Sequence, residues 1–233
     1  MKQSKWREKS SRVWREWAKP LLTILLITGA FRSAIADWND VPTGSMKPTI
    51  LEGDRILVNK LAYDLKIPFT TVHLTAWADP KRGDIIVFFS PVDGVRLVKR
   101  VVGLPGDEIE LRDNQLFVNG KQATYRLLDE RIFNQIRAEE RSSYRFAAEE
   151  IEQRSHPVMS TPQLSALRSF TALKVPADSY FVMGDNRDNS KDSRYIGCIP
   201  RGKIVGQAKT VVLSVDPGNH YVPRWERFFS ALP

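Results

Sequence analysis

Apolar positions along this chain follow three different spacings. From Pro20 to Ala36, in PLLTILLITGAFRSAIA, they run almost without a break. Seventeen residues lie at the short end of what crosses a bilayer, so the run predicts a transmembrane helix. Arg32 sits near one end, where its head can reach the headgroups, and Trp17 and Trp38 flank the run about 31 Å apart at helical rise, as interfacial anchors would. A cleavable signal peptide is the competing reading, since Ala34-Ile35-Ala36 has the small-x-small form. Arg32 counts against it, and either reading exports the rest of the chain.

Beyond Trp38 the pattern shortens to apolar runs broken by Gly, Pro and Asp, which predicts strands. These are RILVN (55–59), DIIVFF (84–89), VRLVKRVV (95–102), QLFVNG (115–120), YFVM (180–183) and KIVGQAKTVVLSV (203–215). No alternation of strand and helix patterns appears, so the fold class is mainly β. The third spacing is confined to residues 127–154, where Leu128, Ile132 and Ile136 recur four apart among many charges. It predicts one or two amphipathic helices inserted between strands.

Charge sharpens this picture. Of the net +8, residues 1–19 carry +5, with Lys2, Lys5, Arg7, Lys9, Arg12, Arg15 and Lys19 against Glu8 and Glu16. This places 1–19 in the cytoplasm and the rest across the membrane. The excess suits anionic lipid, not nucleic acid, because it does not form a stripe on the folded part. Cys198 is the single cysteine, so no intrachain disulfide can form.

Candidate chemistry is sparse. His73, His156 and His220 stand apart in sequence, no paired-cysteine or H-E-x-x-H spacing occurs, and no metal or cofactor is expected. GDNRDNSKDSRYIG (184–197) has the carboxylates of a calcium loop, Asp185, Asp188 and Asp192, but Arg187 and Arg194 fall among them, so internal ion pairs fit better. Period-two alternation puts Lys99 on one row with Val95, Leu97 and Val101, and Arg96 and Arg100 on the other. Such a lysine is either an edge residue snorkelling to water or, if desolvated, a base usable near neutral pH. Ser45, in VPTGSMKPTI (41–50), is either a turn or capping serine or a nucleophile for that base.

Together these residues resemble a known family. PTGSMKPTI is similar to the nucleophile box of bacterial type I signal peptidases, the serine-lysine leader peptidases; GDRILVNK (53–60) and KRGDIIVF (81–88) resemble their strands, VKRVVGLPGDEI (98–109) their lysine box, and GDNRDNSKDSRYIG their last box. The resemblance implies Ser45 as nucleophile, Lys99 as general base, Ser190 as the hydroxyl orienting the amine, and Thr43, where many members have serine, as a second oxyanion donor beside the Ser45 N–H. It implies Val41, Pro42, Met46, Ile50, Ile56, Leu97 and Val98 as substrate-pocket residues, and Gly44, Arg100, Asp185, Asp192 and Arg194 as structural support. The expected architecture is a basic cytoplasmic segment (1–19), one N-terminal transmembrane helix (20–36), a signal-peptidase-like β catalytic domain (37–109 and 177–233) on the outer face of the cytoplasmic membrane, and an inserted, partly helical subdomain (110–176) read as a surface elaboration. The expected partners are signal-peptide-bearing preproteins, membrane lipid and the secretion translocon. A specialised serine-lysine peptidase maturing one secreted or conjugation-related protein would use the same site.

Overall fold

A computed structural model describes residues 14–70 and 72–233 of the protein; the basic residues Lys2, Lys5, Arg7, Lys9 and Arg12 lie outside them. The apolar run forms helix α1 (Lys19–Ala34), preceded by a π turn at Trp14–Ala18. Helix α1 stops two residues short of the expected end because Ala36 already pairs with Asn59 as the first residue of strand β1 (Ala36–Asp40). Trp38 therefore lies in a sheet instead of flanking a helix, with the Arg32 guanidinium 4.8 Å above its ring. Among the described residues no helix is long and apolar enough to cross a membrane.

The main body is an antiparallel sheet built on β1, β2 (Asp54–Asn59), β3 (Ile85–Phe89), β4 (Arg96–Gly103), β5 (Ser179–Met183), β6 (Ile199–Pro200) and β7 (Ile204–Asp216), in the spatial order β1-β2-β7-β3-β4-β5-β6, with two short strands, Val222–Pro223 and Ser230–Ala231, added along β7. All six strands predicted from apolar runs are present, and five of them belong to this sheet. The long strand β7 is shared between β2 and β3, with register shifts along both pairings; bulges of this kind bend a strand and curl the sheet. Strand β3 is apolar at every position because both of its faces are covered. Ile85 and Val87 join Met46, Ile50, Ile56 and Val58 on one side, while Ile86 and Phe88 join Val101, Tyr180 and Val182 on the other.

Between β4 and β5 the chain forms a second sheet, in which Glu108–Arg112 pairs with both Gln115–Val118 and Phe170–Lys174. Its apolar side closes over Val102, Phe181 and Met183 of the main sheet. The insert is partly helical as expected, but the extent of helix over 127–154 is corrected here. Helix is confined to single turns at Glu130–Phe133 and Ala138–Arg141, and the rest of the segment enters a hairpin, Arg145–Ile151 with Arg154–Ser160. Glu152 and Gln153 turn that hairpin with φ of 48° and 67°, the left-handed geometry of tight two-residue hairpin loops, usually filled by Asn or Gly. Without those residues the turn has no sequence signal, and the charged strand reads as helix. Tertiary contacts override that propensity: Glu149 is fully buried against Arg187, which lies beyond β5.

Candidate active site

Strand β1 runs into Thr43, which is extended (φ −128°, ψ 150°), and then into a 3₁₀ turn at Gly44–Met46 that carries Ser45. Hydrogen bonds from distant sequence fix this turn. The Asn186 side-chain amide donates to the Gly44 carbonyl at 3.0 Å and the Asn186 N–H to the Ser45 carbonyl at 3.2 Å. Gly184 allows the approach, since a Cβ there would collide with both the Ser190 hydroxyl and the Ser45 carbonyl.

Lys99 comes from the middle of β4, opposite Ile86 on β3. Its neighbours two residues either way, Leu97 and Val101, pack in the cluster that holds Ile86 and Phe88, as the alternation predicts; Val95 lies outside the strand and is exposed. Lys99 is 2% exposed, with Nζ 2.6 Å from Ser45 Oγ and donating to the Val98 carbonyl at 2.8 Å. Burial drives its pKa down to about 8 against the opposing pull of Asp192 and Asp185. A lysine at that value supplies neutral amine near neutral pH, and in that form the Ser45 O–H donates to Nζ.

A cleft of about 160 Å³ opens beside this pair, lined by Val41, Pro42, Thr43, Met46, Leu97 and Val98. Ile50 and Ile56, also expected in the pockets, are fully buried behind Val41 and Met46 and do not line it. The position is a correction: they set the shape of the wall from beneath. Thr43 is exposed and makes no capping bond, so its hydroxyl is free for a ligand. Ser190 is buried with its hydroxyl unpartnered among the described residues, so its expected bond to the lysine amine is not formed here.

The acidic stretch 184–197 is held by arginines. Asp185 takes a two-pronged pair from Arg100, at 2.9 and 2.8 Å, with both side chains 1% exposed. Thr49 donates a short hydrogen bond to the same carboxylate. Asp192 pairs with Arg194 at 2.8 Å and accepts the Gly184 N–H at 2.9 Å, while Asp188 pairs with Arg168. Among the described residues no cluster of His, Cys, Asp and Glu could hold a metal ion.

Several contributors carried no motif. Asn186 and Thr49 have no isolated signature, although Asn186 lies inside the last box and Thr49 inside the nucleophile box. From the insert, Glu149 pairs with buried Arg187, and His156 lies 3.2 Å from Glu149, off hydrogen-bond geometry. Burial, then Arg100, lower the His156 pKa, so this ring stays neutral. The Met159 N–H donates to the Asp185 carbonyl at 2.8 Å. The insert therefore buttresses the last box and is more than a surface elaboration.

A curled antiparallel sheet that brings a serine and a desolvated lysine together beside an apolar cleft has the form of a hydrolase site of the serine type. The comparisons give the family. Residues 14–213 match the family described as "Signal peptidase, peptidase S26". The chain is 37% identical to signal peptidase I of Pseudomonas fluorescens, covering 91% of this chain and 77% of that one, and 33% identical to signal peptidase I P of Bacillus subtilis subsp. natto, covering 92% and 96%. A signal peptidase I crystal structure from Enterococcus faecalis is 32% identical and covers 57% of this chain and 98% of its own, with a TM-score of 0.34. The chain belongs to the peptidase S26 signal peptidase family and is a serine peptidase.

Proposed function

We propose that this protein removes N-terminal signal peptides from exported preproteins by a serine-lysine mechanism, at the outer face of the cytoplasmic membrane. The observation that carries the reading is the 2.6 Å contact between Ser45 Oγ and the buried Lys99 Nζ. Neutral Lys99 takes the Ser45 proton as Oγ attacks the scissile carbonyl; the Ser45 N–H and the Thr43 hydroxyl hold the oxyanion. The amine returns the proton to the leaving nitrogen, and water activated by the same lysine releases the acyl-enzyme. Ser190 steadies the amine once substrate closes the cleft. A cleft this small, walled by Val41, Met46, Leu97 and Val98, admits Ala or Gly before the cut and excludes bulk. The substrate backbone adds as an extended strand along the residues flanking Ser45 and Lys99.

Helix α1, too short to cross the bilayer unaided, serves as the core of the single-pass anchor, with residues 1–19 inside, 37–109 and 177–233 as the catalytic domain outside, and the translocon as neighbour. Supporting this, Leu21, Leu22, Ile24, Leu25, Leu26 and Ile27 are all 48–65% exposed, an apolar surface around the helix that water would not favour. Purified protein in detergent, given a generic signal-peptide substrate, is expected to cut it after a small residue. Cleavage of one native partner alone would mean a specialised maturation enzyme, and no cleavage would end the reading.

Two variant experiments probe the chemistry. The kcat/KM of the wild type should rise with pH along a limb centred near 8, since Lys99 must lose its proton to act. Leu97→Gln, which hydrates the amine, should move the limb upward. A limb near 6.5 abolished by a histidine substitution would transfer the base role to that histidine. Thr43→Val keeps the shape and deletes the hydroxyl, so kcat should fall by roughly 10²- to 10³-fold with KM little changed, while Thr43→Ser should be tolerated. An effect on KM alone would make Thr43 a pocket wall.

A further inference from the structure

A cavity of about 500 Å³ takes no part in this chemistry. It is walled by Lys60, Lys66, Arg96 and Lys203 together with Phe69 and Val72, and among the described residues no Asp or Glu lines it. It opens where α1 ends: Ser33 contributes to the wall, the Phe69 N–H donates to Ser33 Oγ at 2.6 Å, and the Phe69 ring lies against Gly29.

Three of these cations are fixed in place, and the fourth, Lys203, is exposed at the rim. Lys60 Nζ donates to the carbonyls of Arg32 and Ser33, at 2.7 and 3.1 Å, where the helix leaves them unpaired. Lys66 Nζ donates to the carbonyls of Ile204 and Val205, at 2.9 and 3.1 Å, and Arg96 to Asn39 at 2.7 Å. Their carboxylate partners stand outside the cavity wall and are shared. Asp37 serves Arg32, Lys60 and Arg96, and Asp64 serves Lys66, His73 and Arg201. Positive charge is left over. Burial lowers the Lys60 pKa from its ordinary value, and Arg96 and Lys66 add to this against the opposing pull of Asp37, so a further anion between them would favour the ammonium.

We infer that this pocket holds the phosphodiester headgroup of an anionic phospholipid in the outer leaflet. A phosphate brings the negative charge that this cationic wall lacks, with several acceptor oxygens for those N–H groups of Arg96 and Lys203 that are not already engaged. The choice of lipid over a soluble phosphate comes from the surroundings. The hairpin formed by Asp64–Lys66 and His73–Ala76 exposes Phe69, Val72 and Leu74 by 69, 55 and 59%, with Trp77 just beyond at 53%. An apolar fringe beside a cationic pocket suits the boundary between headgroups and acyl chains. The inference rests on α1 being the membrane anchor.

The test uses the full chain, because the basic residues ahead of α1 also attract anionic lipid and must cancel in a comparison. Flotation with phosphatidylcholine vesicles first tests the anchor; failure to float would overturn that reading and this one with it. Native mass spectrometry from mixed phosphatidylcholine and phosphatidylglycerol nanodiscs then measures retained phosphatidylglycerol for the wild type, Lys203→Gln and Lys66→Gln. Lys203 is exposed, so its variant should melt like the wild type in neutral detergent. Each substitution should lower the preference for phosphatidylglycerol about five-fold, the worth of one cation near a headgroup. Equal retention by wild type and Lys203→Gln, with flotation intact, would overturn the pocket alone. Inorganic phosphate binding in neutral detergent as tightly as the lipid would mark a free-anion site and also overturn it; weak phosphate binding supports the lipid.

Discussion

Lys99→Ala and Ser45→Ala are each expected to lower kcat by about 10⁴- to 10⁶-fold, and the double variant to be no worse than either alone. A serine hydroxyl is a weak nucleophile without a base, and among the described residues the side chain that meets Ser45 Oγ is Lys99, at 2.6 Å. The two act as one unit, so removing either ends the same step. Lys99→Arg should fail as badly, because a guanidinium does not give up its proton. Loss of fold is separated from loss of chemistry by Lys99→Met. The lowered lysine pKa means that, between about 8 and the free value near 10.4, the unfolded chain binds more protons than the folded one, so wild-type stability rises with pH across that window. Lys99→Met should lose this slope and be at least as stable near pH 7, yet inactive. Retention of more than about a tenth of wild-type turnover by any of these variants would remove the mechanism.

Asp185→Asn is expected to destabilise the fold by about 3–5 kcal/mol, because it leaves the Arg100 guanidinium buried with its charge uncompensated. For a chain of this size that is a fall in Tm of roughly 6–20 °C, readable by thermal denaturation in detergent. Activity should fall too, since Asp185 sits between the turn that carries Ser45 and the strand that carries Lys99. Burial alone would raise the Asp185 pKa; Arg100 outweighs it and holds the carboxyl below its usual value. Its contribution to stability is therefore complete above the ordinary Asp range, near 3.9, and fades as pH falls through the lower folded pKa. Stability near neutral pH should therefore carry this contribution in full and not vary with pH on its account, whereas an acid melt of the wild type should show its loss. A variant within about 1 kcal/mol of wild type would mean that water reaches Arg100.

The strands were readable because period-two burial leaves its record locally. Residues Ile85 to Phe89 are apolar without interruption, and Lys99 stands out on its row because its neighbours are Leu97 and Val101. The charged hairpin at 145–160 left no such record. Its turn uses Glu152 and Gln153 in place of glycine, and Glu149 takes a buried strand position because Arg187, 38 residues on, neutralises it. Ile50 and Ile56 show the same limit at the scale of a pocket: the pattern marks them as apolar and inward, yet only packing decides whether inward means cleft or core.

By itself, then, the sequence determined what depends on neighbours along the chain: a β fold, an exposed apolar helix before it, the serine and lysine boxes, and the Asp192–Arg194 pair within 184–197, whereas Asp185, Arg187 and Asp188 find their partners far off in Arg100, Glu149 and Arg168. The tertiary structure decided what depends on residues far apart in the chain. It set Nζ against Oγ across 54 positions, pinned the serine turn with Asn186, and seated the insert's Glu149, His156 and Met159 beneath the last box. It also gathered Lys60, Lys66, Arg96 and Lys203 around one cavity. The physical reason is that side-chain periodicity reports which face a residue turns inward, while burial, charge compensation and pKa depend on what the rest of the chain places against that face.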